Sequence, residues 1–166
     1  MDGVLANVYD QFIKMHAAEF GEIMTLEKLT GRLEMEVFPE ALKYVSSKGF
    51  FRDAPLMEDC QRVLQKINDH YNVFIVSAAM EFPNSLVEKH AWLNEHFPFI
   101  KWQQMVFCGS KDIIKADIMI DDHFKNLDVF TGDQTLLFSQ PHNLLANPGK
   151  HTRVANWKEI ERILLP

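Results

Sequence analysis

Four short polar segments of this chain carry side chains suited to acid–base chemistry, cation binding or anion binding. They are Asp2-Gly3, Ser77, Lys111 and Asp121-Asp122, and the last two are preceded or followed by apolar runs typical of strands. Carboxylates act as general acids or bases and bind hard cations. Serine and lysine suit an anionic group such as phosphate. Each segment alone is typical of a turn, a helix N-cap or a solvated side chain, but their order and spacing together indicate a functional site.

The elements around these segments alternate strand and helix. Short apolar runs predict strands, and apolar residues at helical spacing predict helices. This rhythm indicates an α/β fold with a doubly wound parallel sheet of the Rossmann type, in which ligands bind beyond the carboxyl ends of the strands. The predicted strands are residues 71–79, Met105–Cys108, Asp117–Ile120 and Leu136–Phe138, and the predicted helices are residues 61–69, Pro83–Phe97 (with Leu86, Val87, Trp92 and Leu93 on its inner side) and Trp157–Leu164.

Residues 8–48 contain helical patterns without an intervening strand: Val8–Phe20, Leu26–Gly31 and Pro39–Ser47. We expect residues 1–166 to form a single domain in which residues of about 12–58 are a small helical cap inserted after the first strand end. The alternative is one longer irregular connection. Phe50 and Phe51, next to Arg52, are expected to stack on a nucleobase, to support the hinge of the cap, or to pack in the hydrophobic core.

Composition excludes several classes of protein. The 166 residues carry a formal net charge of −6, which argues against binding of nucleic-acid polymers or anionic membranes. No apolar run is long enough to span a membrane, and no export leader is recognisable. Cys60 and Cys108 lack metal-ligand spacing, and the histidines form no zinc-type pair, so we expect free thiols and a cytoplasmic location.

The four polar segments, with further motifs between them, resemble those of the haloacid-dehalogenase-like phosphohydrolases, and within them the 5′(3′)-deoxyribonucleotidases. The resemblance covers nearly the whole chain. It implies an α/β core with a helical cap, a Mg²⁺ cofactor, a nucleoside monophosphate substrate and a homodimer. The motifs are residues 1–6, residues 49–53 with Pro55, Val76-Ser77, Glu88-Lys89 before Trp92, and Lys111 leading into residues 116–122.

The resemblance also implies roles for individual residues. Asp2 would act as general acid and base, and its carbonyl would bind Mg²⁺ together with Asp121 and Asp122. The other implied roles concern the phosphoryl group: Ser77, the backbone around Gly3 and Ala78, and Lys89 would bind it, with Phe50 and Phe51 beside the substrate, and Lys111 would neutralise its charge. Ala78 stands where the family commonly has a second hydroxyl residue, which leaves the substrate preference open.

The first motif of that family is Asp-x-Asp-Gly, and here Met1 occupies the x position. The nucleophilic carboxylate of the family is therefore expected one residue before Met1, at the end of a central strand. We expect a phosphomonoesterase for deoxyribonucleoside monophosphates that forms an aspartyl-phosphate. The alternatives are a related phosphatase for another small phosphate ester, and a protein that binds a nucleotide or phosphate without turnover because it lacks the nucleophile.

Overall fold

A computed structural model describes residues 1–165, and its elements follow the predicted alternation of strand and helix. All strand pairs are parallel, which confirms the α/β class. The strands are β1 (Ile75–Ser77), β2 (Met105–Phe107), β3 (Ile118–Asp121), β4 (Gln134–Phe138) and β5 (Thr152–Val154). The helices are α1 (Val8–Phe20), α2 (Leu26–Leu29), α3 (Glu34–Val37), α4 (Ala41–Ser46), α5 (Cys60–His70), α6 (Asn84–His96), α7 (Phe124–Leu127) and α8 (Trp157–Leu164).

The strands form two parallel sheets instead of the single sheet expected from the sequence. One sheet has the order β1-β2 and the other has the order β3-β4-β5. Residues 1–6 contact both: the Met1 amino group lies 3.5 Å from the Val76 carbonyl in β1, and Gly3 lies against Asp122, directly after β3. This segment forms a turn in which the Leu5 N–H donates to the Met1 carbonyl, so its backbone does not pair as a strand with either sheet.

One hydrophobic core joins the two sheets to helices α5, α6 and α8. Two tryptophans bury their rings in it and donate their indole N–H to backbone carbonyls, Trp92 to Ala54 and Trp157 to Val4, at 2.8 and 2.7 Å. The second of these bonds fixes the N-terminal turn that carries Asp2. Val87 was wrongly predicted to face inward on α6, because it is 77% exposed.

Helices α1–α4 build a second hydrophobic cluster of their own, which includes Phe12, Phe38 and Tyr44 and extends to Phe50 and Phe51. Helices α1, α2 and α4 were predicted from the sequence, whereas the single turn of α3 was not. A separate core is what an inserted cap requires, and we propose that this cluster is the cap expected for residues of about 12–58. Its junction with the rest of the chain, residues 49–53, lies beside the polar segments described next.

Two further expectations concern the whole chain. Cys60 and Cys108 are both buried and free, as predicted. Among residues 1–165, no helix is long and apolar enough to cross a membrane. The cytoplasmic location remains a prediction.

Candidate active site

Asp2 lies at the centre of a partly buried polar contact at the carboxyl end of β1. The Lys89 ammonium donates to Asp2 Oδ2 at 2.6 Å and to Ser77 Oγ at 3.1 Å, and the Ser77 hydroxyl lies 3.4 Å from the same carboxylate oxygen. Ser77 is the last residue of β1, while Lys89 lies on the inner face of α6. The structure therefore brings together three of the predicted residues from distant parts of the chain.

The charge state of Asp2 follows from these contacts. Burial alone would raise the pKa of its carboxyl group, but Lys89 and the Met1 amino group hold the pKa below its ordinary value. Lys89 is only 3% exposed, so this ammonium has exchanged most of its hydration for Asp2, Ser77 and the Phe51 ring, 4.3 Å away. A positive charge this deeply buried needs an anionic partner.

A second ion pair lies at the end of β3. The Lys111 ammonium donates to Asp121 Oδ2 at 2.6 Å, and Asp121 Oδ1 accepts from the His123 backbone N–H and from the Asn126 side chain, both at 2.9 Å. Burial alone would raise the pKa of Asp121, but Lys111 holds it below its ordinary value. Asn126, on helix α7, was not predicted, since an asparagine in a short helix carries no sequence signal of its role.

Asp122 has a different environment although it directly follows Asp121. Its carboxylate is buried and accepts no hydrogen bond from residues 1–165; His123 and His142 come within 3.8 and 3.9 Å. Gly3 leaves the space for it: with φ of 69°, a residue with a side chain would be strained there and would overlap the carboxylate. Burial and the neighbouring Asp121 charge raise the pKa of Asp122 to about 7.

Asp122→Asn should therefore change how stability depends on pH in the absence of metal. The wild-type carboxyl has a pKa of 3.8 when exposed and about 7 when folded, so its contribution to stability is complete below about pH 4 and falls as the pH rises to 7. Asparagine cannot ionise. Thermal unfolding is measured in EDTA at several pH values. We expect the Tm difference, variant minus wild type, to increase as the pH rises from about 4 to about 8.

The control for this series is Asp69→Asn, which removes an exposed carboxylate on α5. Its Tm should stay close to wild type at every pH. A Tm difference for Asp122→Asn that does not change with pH would contradict the environment described for Asp122.

A clamp formed by Gln140, His142 and Asn143 holds the N-terminal turn and the end of β3 together. Gln140 donates to the Gly3 carbonyl at 2.5 Å, and His142 and Asn143 donate to the Asp122 carbonyl at 3.0 and 2.8 Å. The sequence analysis missed these residues because polar side chains after a strand are common. Their partners are up to 137 positions away in the chain.

His142 also connects this clamp to the helical cluster. Its Nδ1 lies 3.1 Å from the Tyr9 hydroxyl on α1, and its ring stacks on that of His123, with centroids 4.4 Å apart. His123 and His142 thus lie close to Asp122, and the possible metal-ligand atoms of these three residues lie within 4.8 Å of one another. The histidines showed no metal-type spacing in the sequence. His142 Nε2 already donates to the Asp122 carbonyl. The atoms of this group that remain available to bind a metal are therefore mainly oxygens.

The remaining predicted residues lie close to the two ion pairs. Ala78 follows Ser77 and is half-buried, and Gly3 lies against Asp122. Phe50 is 1% exposed and packs edge-on against Phe12 in the helical cluster, the core-packing alternative for this residue. Phe51 lies under the Lys89 ammonium, and its ring is also largely buried.

The donor set fits a hard divalent cation. Asp121 and Asp122 supply buried carboxylate oxygens at one sheet edge, beside the backbone of Asp2, and the Asp122 carboxylate lacks a hydrogen-bond donor among residues 1–165. Oxygen ligands with room for water are what Mg²⁺ prefers. A groove of about 410 Å³ is lined instead by residues such as Asn7, Tyr9 and Gln140 and includes neither ion pair. Charge, and not cavity size, locates the candidate site.

The site therefore defines a class: an α/β protein with carboxylates, a serine and two lysines at the carboxyl ends of parallel strands. A sequence profile of the family described as 5′ nucleotidase, deoxy (pyrimidine), cytosolic type C, matches residues 1–166. The 5′(3′)-deoxyribonucleotidase of Bacillus subtilis strain 168 is 48% identical over 115 residues, which are 69% of this chain and 65% of the relative. A protein of the same description from Bacillus phage SPbeta matches to the same extent.

A longer match comes from Staphylococcus aureus strain Mu50. This relative, whose name places it provisionally among the 5′(3′)-deoxyribonucleotidases, is 38% identical over 171 residues, covering 99% of this chain and 92% of the relative. The chain belongs to the 5′(3′)-deoxyribonucleotidase family of haloacid-dehalogenase-like phosphohydrolases. The expected family is thus confirmed.

Proposed function

We propose that this protein is a Mg²⁺-dependent phosphomonoesterase that hydrolyses deoxyribonucleoside 5′- or 3′-monophosphates through an aspartyl-phosphate. The observation that supports this proposal most strongly is the contact of Asp2 with Lys89 and Ser77, near the pair of Lys111 and Asp121. The proposal takes Asp2 as the acid–base group and the two lysines as the cations that bind the phosphoryl group. The family and the names of the relatives support the substrate class.

The roles of these residues are the ones that the family resemblance implies. Asp2 protonates the leaving sugar oxygen and later takes a proton from the attacking water. Its lowered pKa favours the carboxylate form, which is the form needed for the second of these steps. Ser77 Oγ and the backbone N–H of Ala78 donate to phosphoryl oxygens. The Gly3 N–H, expected from the sequence to do the same, already donates to the Ala6 carbonyl at 2.9 Å, so no phosphate contact is proposed for it. Lys89 and Lys111 neutralise the charge of the phosphoryl group, and their burial strengthens this effect because little water screens it.

Mg²⁺ would be held by the Asp2 carbonyl, Asp121 and Asp122. When bound, it supplies further neutralisation of the phosphoryl charge. The role of Asp121 agrees with its position, since Lys111, Asn126 and the His123 N–H fix both of its oxygens. Asp122 is the more adaptable ligand, direct or through water.

The nucleophile in this proposal is an aspartate directly before Met1. The Met1 amino group lies within the site, where burial and the Lys111 charge lower its pKa to about 6. An aspartate joined to this nitrogen would enter the same charged environment as Lys111, Asp121 and Asp122. Its attack on phosphorus would break the bond to the sugar oxygen and form the aspartyl-phosphate, which water then hydrolyses.

The test of the substrate class uses the strand-extended chain, defined as this chain with an apolar strand segment ending in Asp directly before Met1. Phosphate release with Mg²⁺ is compared for dUMP, dTMP, their 3′ isomers and a simple sugar phosphate. The proposal predicts higher kcat/KM for the nucleotides. A preference for the sugar phosphate would indicate another phosphatase of the superfamily. The homodimer implied by the resemblance also stays a prediction, and sedimentation of the same sample tests it.

A further inference from the structure

Glu88 lies in α6 and makes three hydrogen bonds to the backbone of a single short segment. Its Oε1 accepts from the Gly49 N–H at 2.7 Å, and its Oε2 accepts from the N–H groups of Phe51 and Arg52 at 3.1 and 3.2 Å. Bonds from N–H groups to a carboxylate are stronger than bonds between neutral groups. None of the roles proposed above uses this side chain.

The segment that Glu88 holds is the junction between the helical cluster and the α/β core. Gly49 adopts φ of 93°, a conformation that favours glycine, in the segment whose Gly49, Phe51 and Arg52 N–H groups converge on the Glu88 carboxylate. Without an acceptor, these partly buried N–H groups would lose their hydrogen bonds at a cost in stability. Glu88 thus joins the backbone of the junction to α6, whereas the exposed Glu95 of α6 contacts only the Arg52 side chain.

The residue after Glu88 is Lys89, and the two side chains point in different directions because neighbours in a helix do not share a face. Lys89 reaches Asp2 and Ser77, and its ammonium lies 4.3 Å from the centre of the Phe51 ring. Phe51 is one of the residues whose N–H Glu88 binds. Glu88 therefore fixes both the helix that carries Lys89 and the ring against which Lys89 packs.

We propose that Glu88 is a positioning residue that holds the Lys89 ammonium between Asp2 and Phe51 by anchoring residues 49–52 to α6. The ammonium is thereby kept at the site by the junction of the helical cluster, so a displacement of that junction displaces the cation. The significance for catalysis rests on the proposed function, in which Lys89 binds the phosphoryl group. The positioning itself does not depend on it.

The test is Glu88→Gln in the full chain, because an amide nitrogen cannot accept the N–H bonds that one carboxylate oxygen accepts. The matched control is Glu95→Gln, which removes the same charge from α6 at an exposed residue that pairs with the Arg52 side chain. The rate at which an amine-acetylating reagent labels Lys89 is measured by peptide mass spectrometry, with Lys111 as the internal reference. Lys111 is also ion-paired, and its side chain is 12% exposed.

We expect Glu88→Gln to raise the labelling rate of Lys89 relative to Lys111 by about tenfold, the order expected from the loss of a charge-assisted hydrogen bond. Glu95→Gln should leave this ratio unchanged. A general loss of stability would expose both lysines, so an equal increase for Lys89 and Lys111 would overturn the proposal, as would continued protection of Lys89.

Two more measurements separate this proposal from the proposed function. The affinity for inorganic phosphate, measured by calorimetry, should weaken in Glu88→Gln. Unchanged phosphate affinity together with an exposed Lys89 would support the positioning and contradict the phosphate-binding role of Lys89.

Hydrogen exchange on the unaltered chain applies even if the variant does not fold. The amides of Gly49, Phe51 and Arg52 should be protected, and rapid exchange at all three would overturn the proposal.

Discussion

Asp2→Asn in the strand-extended chain should lower kcat for dUMP about 10²- to 10⁴-fold, the range that positioned acid–base groups contribute. The amide can still accept a hydrogen bond from Lys89, whereas proton transfer to the sugar oxygen and from water is lost. Because the buried Lys89 ammonium also loses its anionic partner, we expect the variant to be less stable than wild type, and its folding is checked by thermal unfolding. Because binding of the phosphoryl group rests on other residues, we expect KM to change much less than kcat.

The control for Asp2→Asn is again Asp69→Asn, whose carboxylate is exposed on α5. Steady-state phosphate release over a range of dUMP concentrations gives kcat and KM separately. A kcat within a few-fold of wild type would remove Asp2 from its proposed role. A large increase of KM with an unchanged kcat would indicate that Asp2 serves in binding.

Lys111→Met should lower kcat/KM for dUMP by about 10²- to 10³-fold, as the loss of one electrostatic contact to a developing charge does. It should also reduce stability. Asp121 is 3% exposed and pairs with Lys111 at 2.6 Å, so the substitution leaves a buried carboxylate without its cation. Breaking such a pair from one side costs on the order of 3 kcal/mol.

Lys115→Met is the matched control, since Lys115 is an exposed lysine in the same loop. Thermal unfolding and dUMP kinetics are measured on both variants. Mg²⁺ should restore part of the stability lost in Lys111→Met, because a cation near Asp121 replaces some of the missing positive charge. Equal effects of the two substitutions would contradict the ion pair and the role of Lys111.

The elements with strong local patterns were predictable from the sequence. Helices α1 and α8 have the predicted bounds, and β3 lies within one residue of its prediction, because their apolar periodicity agrees with the core they enter. Strand β5 and helices α3 and α7 were not predicted, since each is only three or four residues long. The strands form two sheets, and the turn of residues 1–6 does not pair as a strand with either of them.

The candidate site likewise contains residues that the sequence indicated and residues that only the structure revealed. The acidic, serine and lysine residues could be identified because their chemistry and their place after apolar runs stand out in the sequence. Among the groups that orient them, Glu88 and the clamp of Gln140, His142 and Asn143 act through contacts between distant segments. Asn126 acts on Asp121, five residues before it. The sequence marked Glu88 only as part of a motif and gave it no role. Polar residues of these types occur throughout any chain, so only the three-dimensional structure distinguishes them.

The most direct test of the account is Mg²⁺-dependent phosphate release from dUMP by the strand-extended chain, by its counterpart with Asn in place of the added Asp, and by the chain as it stands. The account predicts release by the Asp form alone, and Mg²⁺-dependent trapping of an acyl-phosphate on the added residue. No release by the Asp form in a folded sample would contradict the proposed activity and leave nucleotide binding as its function. Equal release by the Asp and Asn forms would contradict the aspartyl-phosphate mechanism.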